Sequence, residues 1–441
     1  MFNTKKFNAK KYSQLYKLAS VATLFLVAQL ASALPQYDAD KHLGVASCVS
    51  SVCHGKSKPV EDENVMLNEY RTWSTEDRHA RAYKTLLTDE SKRIAKNLGL
   101  KSAHTAKICL DCHADNVAKE KRGPKFQISD GVGCEGCHGG GEQWIESHTE
   151  DGVTHQQNLD KNMFPTEDGV ARATLCLSCH YGTKDKLATH QIMGAGHPRL
   201  SFELETFTAN QPSHYLIDAD YLKRKGEFSG FTMWIVGQLE SAKSSLDLMG
   251  KYLISDDQLV PELYFYDCHA CHHPMSDIRW EPTAAKAGVP PGVIRLNDAN
   301  FLMLLELTKE VLPKQSGKLQ AALVAMHKAS VTNKSALKTA VADLTKVVAS
   351  LDKPLTSVNY SEQQTKAVRA RLLKQAAKGE FRDFSAAEQA FLAIESITIA
   401  LKQDQQLEKQ LDSLYDTLDD EDRFKPKTFK SVAATVKGAF N

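Results

Sequence analysis

Five times in this chain of 441 residues a histidine directly follows the second of two closely spaced cysteines. Four copies read Cys-x-x-Cys-His: Cys109, Cys112 and His113; Cys134, Cys137 and His138; Cys176, Cys179 and His180; Cys268, Cys271 and His272. The fifth is widened to Cys48-Val-Ser-Ser-Val-Cys53-His54. All ten cysteines are used. This spacing suits covalent attachment of a c-type haem. The two thiols add to the vinyl groups, and the adjacent imidazole takes the iron. Flat apolar macrocycles then supply much of the core, so that region needs few long amphipathic elements.

Paired cysteines also bind zinc or form redox disulfides. Neither requires the histidine. Only 16 residues of the chain are His, so five chance placements have odds of order one in ten million against the known motif. The expectation is five haems c. It falls to four if Cys48 and Cys53, whose extra spacers must loop out, form a disulfide or stay unmodified.

The N-terminus fits this chemistry. Lys5, Lys6, Lys10, Lys11 and Lys17 precede an apolar run, Leu18 to Leu30, and then Ala31-Ser32-Ala33. That is the layout of a cleaved secretory signal, 1–33, and the run is short of a membrane span. The expected location is the periplasm, or the outer cell face. The formal charge of +1 becomes −4 once these five lysines are removed. Nothing points to nucleic acid, and no later stretch is apolar enough to span a membrane.

Composition divides what remains. All cysteines and 15 of 16 histidines precede residue 274. Residues 34–276 read as a pentahaem domain with short helices at the motifs and longer ones at 66–98 and 231–250. The glycine-dense segment 131–141 reads as a close approach to a macrocycle. Pro282, Pro290, Pro291 and Gly292 mark 277–298 as a linker. From 299 to 441, apolar residues recur at three and four, as in Leu337, Val341, Leu344 and Val348. Helices are predicted at 299–312, 317–330, 333–351, 361–378, 385–402 and 404–418. The fold class is mainly α with little or no sheet, ending in a helical bundle. Those helices are the expected surface for homo- or hetero-oligomer contacts.

A second histidine on each iron makes a closed, low-potential carrier. Beyond the five motif residues the haem region holds His42, His79, His104, His148, His155, His190, His197, His214, His269 and His273. His269 lies inside a motif and His273 abuts His272, so both are poor candidates. The first 180 residues have a distinctive order of parts. A haem motif precedes Trp73-(x)5-His79-Ala80-x-Ala82, followed by the Cys109 motif. Then comes Gly131-Val-Gly-Cys-Glu-Gly-Cys-His-Gly with His148 beyond it, and then the Cys176 motif. In this the chain resembles the tetrahaem cytochrome c-554 family, electron partner of hydroxylamine oxidoreductase, within the assemblage that includes pentahaem nitrite reductases. The resemblance implies that His79 caps the haem of His138 and His148 that of His54. For the other haems the candidates are His190, His197 and His214, with His155 in reserve. The widened first motif, the fifth motif and the C-terminal helices depart from that family, so the likeness bears on haem architecture and not on the partner.

The leading expectation is an electron carrier rather than an enzyme, relaying between a quinol-oxidising module, other cytochromes or a terminal reductase. No catalytic residue is assigned. The alternative is a haem enzyme reducing a small nitrogen or sulfur oxide at one open-coordination haem, though no Cys-x-x-Cys-Lys motif is present. A third reading makes the chain an assembly subunit that docks through its C-terminal helices.

Overall fold

The computed structural model describes residues 33–60, 65–226, 229–256, 260–273 and 281–440. The proposed signal, 1–33, lies outside them except for Ala33. The protein is mainly α, with no strand among the described residues. The described residues form only two isolated bridges, His42 with Arg122 and Tyr266 with Leu296.

The first half is built of short helices and turns. α1 (Lys107–His113) and α2 (Gly169–His180) each end on a motif histidine. The helix expected over 66–98 is broken into Glu69–Thr75, a 3₁₀ turn at Arg78–Arg81, Ala82–Thr85 and Asp89–Asn97. The cause is local. Asp77 accepts from the His79 N–H, and Thr88 accepts from that of Ser91. Each side chain caps a new start and competes with continuation of the helix.

α3 (Gly230–Tyr252) is capped by Ser229 and is buried on nearly all sides. Its largely apolar first half, Phe231 to Leu239, belongs inside a core. Met233 and Val236 pack with Ala173 and Leu177 of α2. Trp234, Leu239 and Leu246 join the large core of the C-terminal helices. That core does not divide at residue 276, because α3 serves both sides of it.

Six helices fall where the periodicity predicts: α4 (Ala299–Val311), α5 (Pro313–Ser330), α6 (Lys334–Ala349), α7 (Glu362–Lys378), α8 (Phe384–Ala400) and α9 (Asp404–Tyr415). α10 (Pro426–Val436) adds one that sequence reading missed. Leu337, Val341, Leu344 and Val348 all face the core, each burial stabilising by roughly 1.5–3 kcal/mol. Ser361 and Gln364 form a capping box at the start of α7, and Gly379 ends it at φ 82°. The segment read as a linker is packed where described. Ala285, Lys286 and Leu296 are buried.

Candidate haem centres

Each motif histidine faces one other histidine. Ring centres of His54 and His148 are 6.2 Å apart, His113 and His197 6.3 Å, His138 and His214 6.2 Å, His180 and His79 6.1 Å, and His272 and His190 6.2 Å. Two metal–nitrogen bonds of about 2 Å, plus roughly 1.1 Å from each nitrogen to its ring centre, span about 6.2 Å. The gap matches one iron held between two imidazoles.

The hydrogen bonds reinforce this. In five of these ten rings Nδ1 is engaged: His54 with Glu69 Oε2 (2.9 Å), His79 with Asp77 Oδ1 (2.8 Å), His113 with the Ala82 carbonyl (3.2 Å), His148 with that of Ile145 (2.6 Å) and His197 with that of Pro198 (2.8 Å). Such bonds fix ring orientation and leave Nε2 for a metal. Other histidines spend Nε2 on hydrogen bonds: His42 on the Pro35 carbonyl, His155 on Glu167, His269 on the Glu421 carbonyl and His327 on Asp298. His155 is therefore committed elsewhere. His104 lies edge-on to Tyr83.

In five of these ten imidazoles burial favours the neutral form, the one that ligates. It lowers His113, His148, His180 and His214, and it takes His138 to about 3. His54 and His79 are instead raised, chiefly by their hydrogen bonds to Glu69 and Asp77. Burial also pushes the Cys137 thiol to about 12 and those of Cys176 and Cys268 to about 11. A neutral thioether fits such surroundings better than a thiolate would.

His148 stands opposite His54, as the resemblance implies. His79 does not stand opposite His138. The 3₁₀ turn at Arg78–Arg81 brings His79 to the C-terminal end of α2, where His180 sits, and His214 faces His138.

The widened motif keeps the closing contact of the standard ones. The N–H of His138 donates to the Cys134 carbonyl at 2.9 Å, and that of His272 to the Cys268 carbonyl at 2.8 Å. In the widened loop the N–H of His54 donates to the Cys48 carbonyl at 3.2 Å. The extra residues bulge outward, leaving Val52 79% exposed. All ten cysteines are free of disulfides. Cys48 and Cys134 lie close enough to shift one another's thiol ionisation, and so do Cys112 and Cys179. Anchors from different motifs are thus direct neighbours.

Several supporting residues were not singled out from sequence. Glu135, inside the third motif, accepts from the N–H groups of Leu43, Gly44 and Gly141, each at 2.7 Å. It ties the start of the described chain to that motif. The glycine-dense segment approaches backbone closely. A Cβ on Gly131, at φ +80°, would lie 2.6 Å from the His79 carbonyl oxygen, and one on Gly140 would lie 2.9 Å from that of Lys41. Asp77 had a visible signal, an acid two residues before a candidate ligand. Glu69 had none.

Residues 47–139, roughly a fifth of the chain, match the family model described as cytochrome c554 and c-prime. The matched stretch holds the first three motifs and His79. That stretch is similar to c-type cytochromes, a class that carries covalent haem c and transfers electrons. Searches of curated proteins and of solved structures each returned no match.

Proposed function

We propose that this chain is a periplasmic pentahaem cytochrome c that carries electrons between respiratory partners through bis-histidine haems. The observation that carries the reading is the set of five histidine pairs, each of one motif residue and one distant residue at the separation an iron needs. The cysteines proposed to hold the haems are Cys48 and Cys53, Cys109 and Cys112, Cys134 and Cys137, Cys176 and Cys179, and Cys268 and Cys271. The proposed axial pairs are His54 with His148, His113 with His197, His138 with His214, His180 with His79, and His272 with His190. Haem c supplies one-electron iron chemistry, its potential set by axial ligands, hydrogen bonding and burial.

The chain's residues do the rest. Glu69 and Asp77 orient His54 and His79 through Nδ1. Burial around His138 favours the neutral imidazole that an iron needs. The mutual influence of Cys48 and Cys134, and of Cys112 and Cys179, on thiol ionisation supports close spacing between the groups anchored there. Electron exchange, which needs no substrate pocket, is the role such an array suits.

The lysine-rich start and the short apolar run support export by a cleaved signal. No described helix is long and apolar enough to cross a membrane. Candidate partners are a quinol-oxidising module, other cytochromes and a terminal reductase. The C-terminal helices are the proposed docking surface for them or for a second copy.

The test is haem counting by mass and pyridine haemochrome, with a spectrum of the oxidised protein. Five haems, all low-spin, are expected. Four haems would remove the Cys48/Cys53 site. A high-spin fraction that shifts with cyanide or nitric oxide would favour a reductase at an open iron, and a colourless protein would defeat the reading.

A further inference from the structure

Lys186 follows α2 in a tight turn, where its carbonyl accepts from the Thr183 N–H at 2.7 Å. The residue is only 3% exposed. Its Nζ donates to Gln36 Oε1 at 2.6 Å, to the Asp111 carbonyl at 2.9 Å and to Cys179 Sγ at 3.1 Å. Gln36 and the Asp111 carbonyl are neutral; Cys112 and Lys186 hold the free Cys179 thiol well below its usual pKa, and as a haem thioether it would be neutral too. The Asp111 carboxylate is engaged by Lys107 and Asn116. Asp185, next in sequence, points outward, with its side chain 68% exposed.

A buried ammonium held by neutral acceptors is unfavourable unless negative charge lies close by. This one sits on the anchor of one proposed haem. Its bond to the Asp111 carbonyl also places it beside Cys112, the next residue and the anchor of another. Adding an electron to either centre lowers its net charge by one, and a fixed cation in low dielectric favours that change.

Building on the haem reading above, we propose that Lys186 raises the reduction potentials of the two haems anchored at Cys179 and Cys112, making them the preferred resting place for electrons in the chain. The direct contact is with Cys179, so the centre of His180 feels the larger effect. Lys186 acts through the thioether and the local field, and it ligates nothing.

The test compares Lys186→Met, Lys186→Gln and Lys186→Arg in the full-length haem-loaded protein. Potentiometric titration is followed optically and by the shifted haem methyl resonances. Methionine and glutamine should each move two of five midpoints to more negative values, one more than the other, with the remaining three unchanged. Arginine should restore most of the shift. Unchanged midpoints in variants holding the full haem complement would overturn the proposal. Loss of haem in both neutral variants would also overturn it, assigning Lys186 to haem attachment. Absence of haem from the wild-type protein is a separate result that defeats the haem reading itself.

Discussion

His79 and His180 face each other edge to face, ring centres 6.1 Å apart, while Asp77 holds the Nδ1 of His79 at 2.8 Å. The second oxygen of Asp77 accepts from Gln211 Nε2 at 3.0 Å. Gln211 stands just ahead of His214, the ring opposite His138. One buried carboxylate therefore orients one pair and steadies the segment that completes another. This linkage explains why His79 and His214 are matched as they are.

His79→Met should raise one midpoint potential and add a methionine–histidine signature to the spectrum, since a thioether favours the reduced iron. The pairing predicts where. Removing the Cys176/Cys179 anchor by alanine substitution in that background should abolish the new signature. Removing Cys134/Cys137 should leave it. The reverse pattern would return His79 to His138.

Ring planes separate the centres spectroscopically. His54 and His148 lie within 10° of parallel, while the His113, His138 and His180 pairs cross at 82° to 88°. Parallel imidazoles split the iron orbitals rhombically, and crossed ones give strongly anisotropic low-spin signals. Electron paramagnetic resonance of the oxidised protein should contain both kinds. His148→Met should remove a rhombic component and spare the anisotropic ones. A spectrum lacking anisotropic signals would contradict the crossed geometry.

What could be read in advance depended on distance along the chain. The motifs are contiguous, so their chemistry was legible at once. Helices α4 to α9 announce themselves because Leu337, Val341, Leu344 and Val348 repeat at the helical period within one segment. The break near His79 was hidden, since Tyr83 follows at a spacing compatible with either a helix or a turn. The caps from Asp77 and Thr88 decided it. Lys286 looked like part of a linker because its partners, Asp298 and Asp383, are brought to it only by folding. Lys186 carries no local signal. Its meaning comes from Gln36, Asp111 and Cys179, drawn from three parts of the chain.

His42 should make the protein sensitive to alkali. It is fully buried, with Nδ1 2.7 Å from Asp115 Oδ2 and Nε2 3.1 Å from the Pro35 carbonyl. Burial alone would lower its pKa, but Asp115, Asp38 and Glu135 together raise it to about 10. The unfolded value is about 6.5. A raised pKa on a base contributes stability that is complete below the unfolded value and fades as pH climbs through the folded one. Urea midpoints should therefore fall between about pH 6.5 and 10. His42→Leu should flatten that slope and leave Asp115 without its cation, at a loss of roughly 3 kcal/mol near neutrality. An unaltered slope in the variant would remove His42 as its source.

Lys286 should be the least replaceable cation of the C-terminal core. Its Nζ lies 3.0 Å from Asp298 Oδ1 and 3.1 Å from Asp383 Oδ2, and His327 Nε2 is 2.9 Å from Asp298 Oδ2. Burial would push the Asp298 carboxyl up, yet Lys286 and His327 hold it at about 2. For an acid with a depressed folded pKa, stability is present above the unfolded value near 3.9 and is lost as pH falls towards 2. Lys286→Met strands the buried Asp383 carboxylate and leaves Asp298 with His327 alone, and it should cost about 3–5 kcal/mol, measured by urea unfolding at pH 7. It should also move the acid transition to higher pH, because Asp298 loses a cation. Asp383 caps α8 by accepting from the Ala386 N–H at 2.8 Å, a bond that asparagine can also make. Lys286→Met combined with Asp383→Asn should therefore recover part of the loss, with one fewer stranded charge and the cap intact. A single variant as stable as the wild type would mean that these carboxylates are neutralised by something other than Lys286.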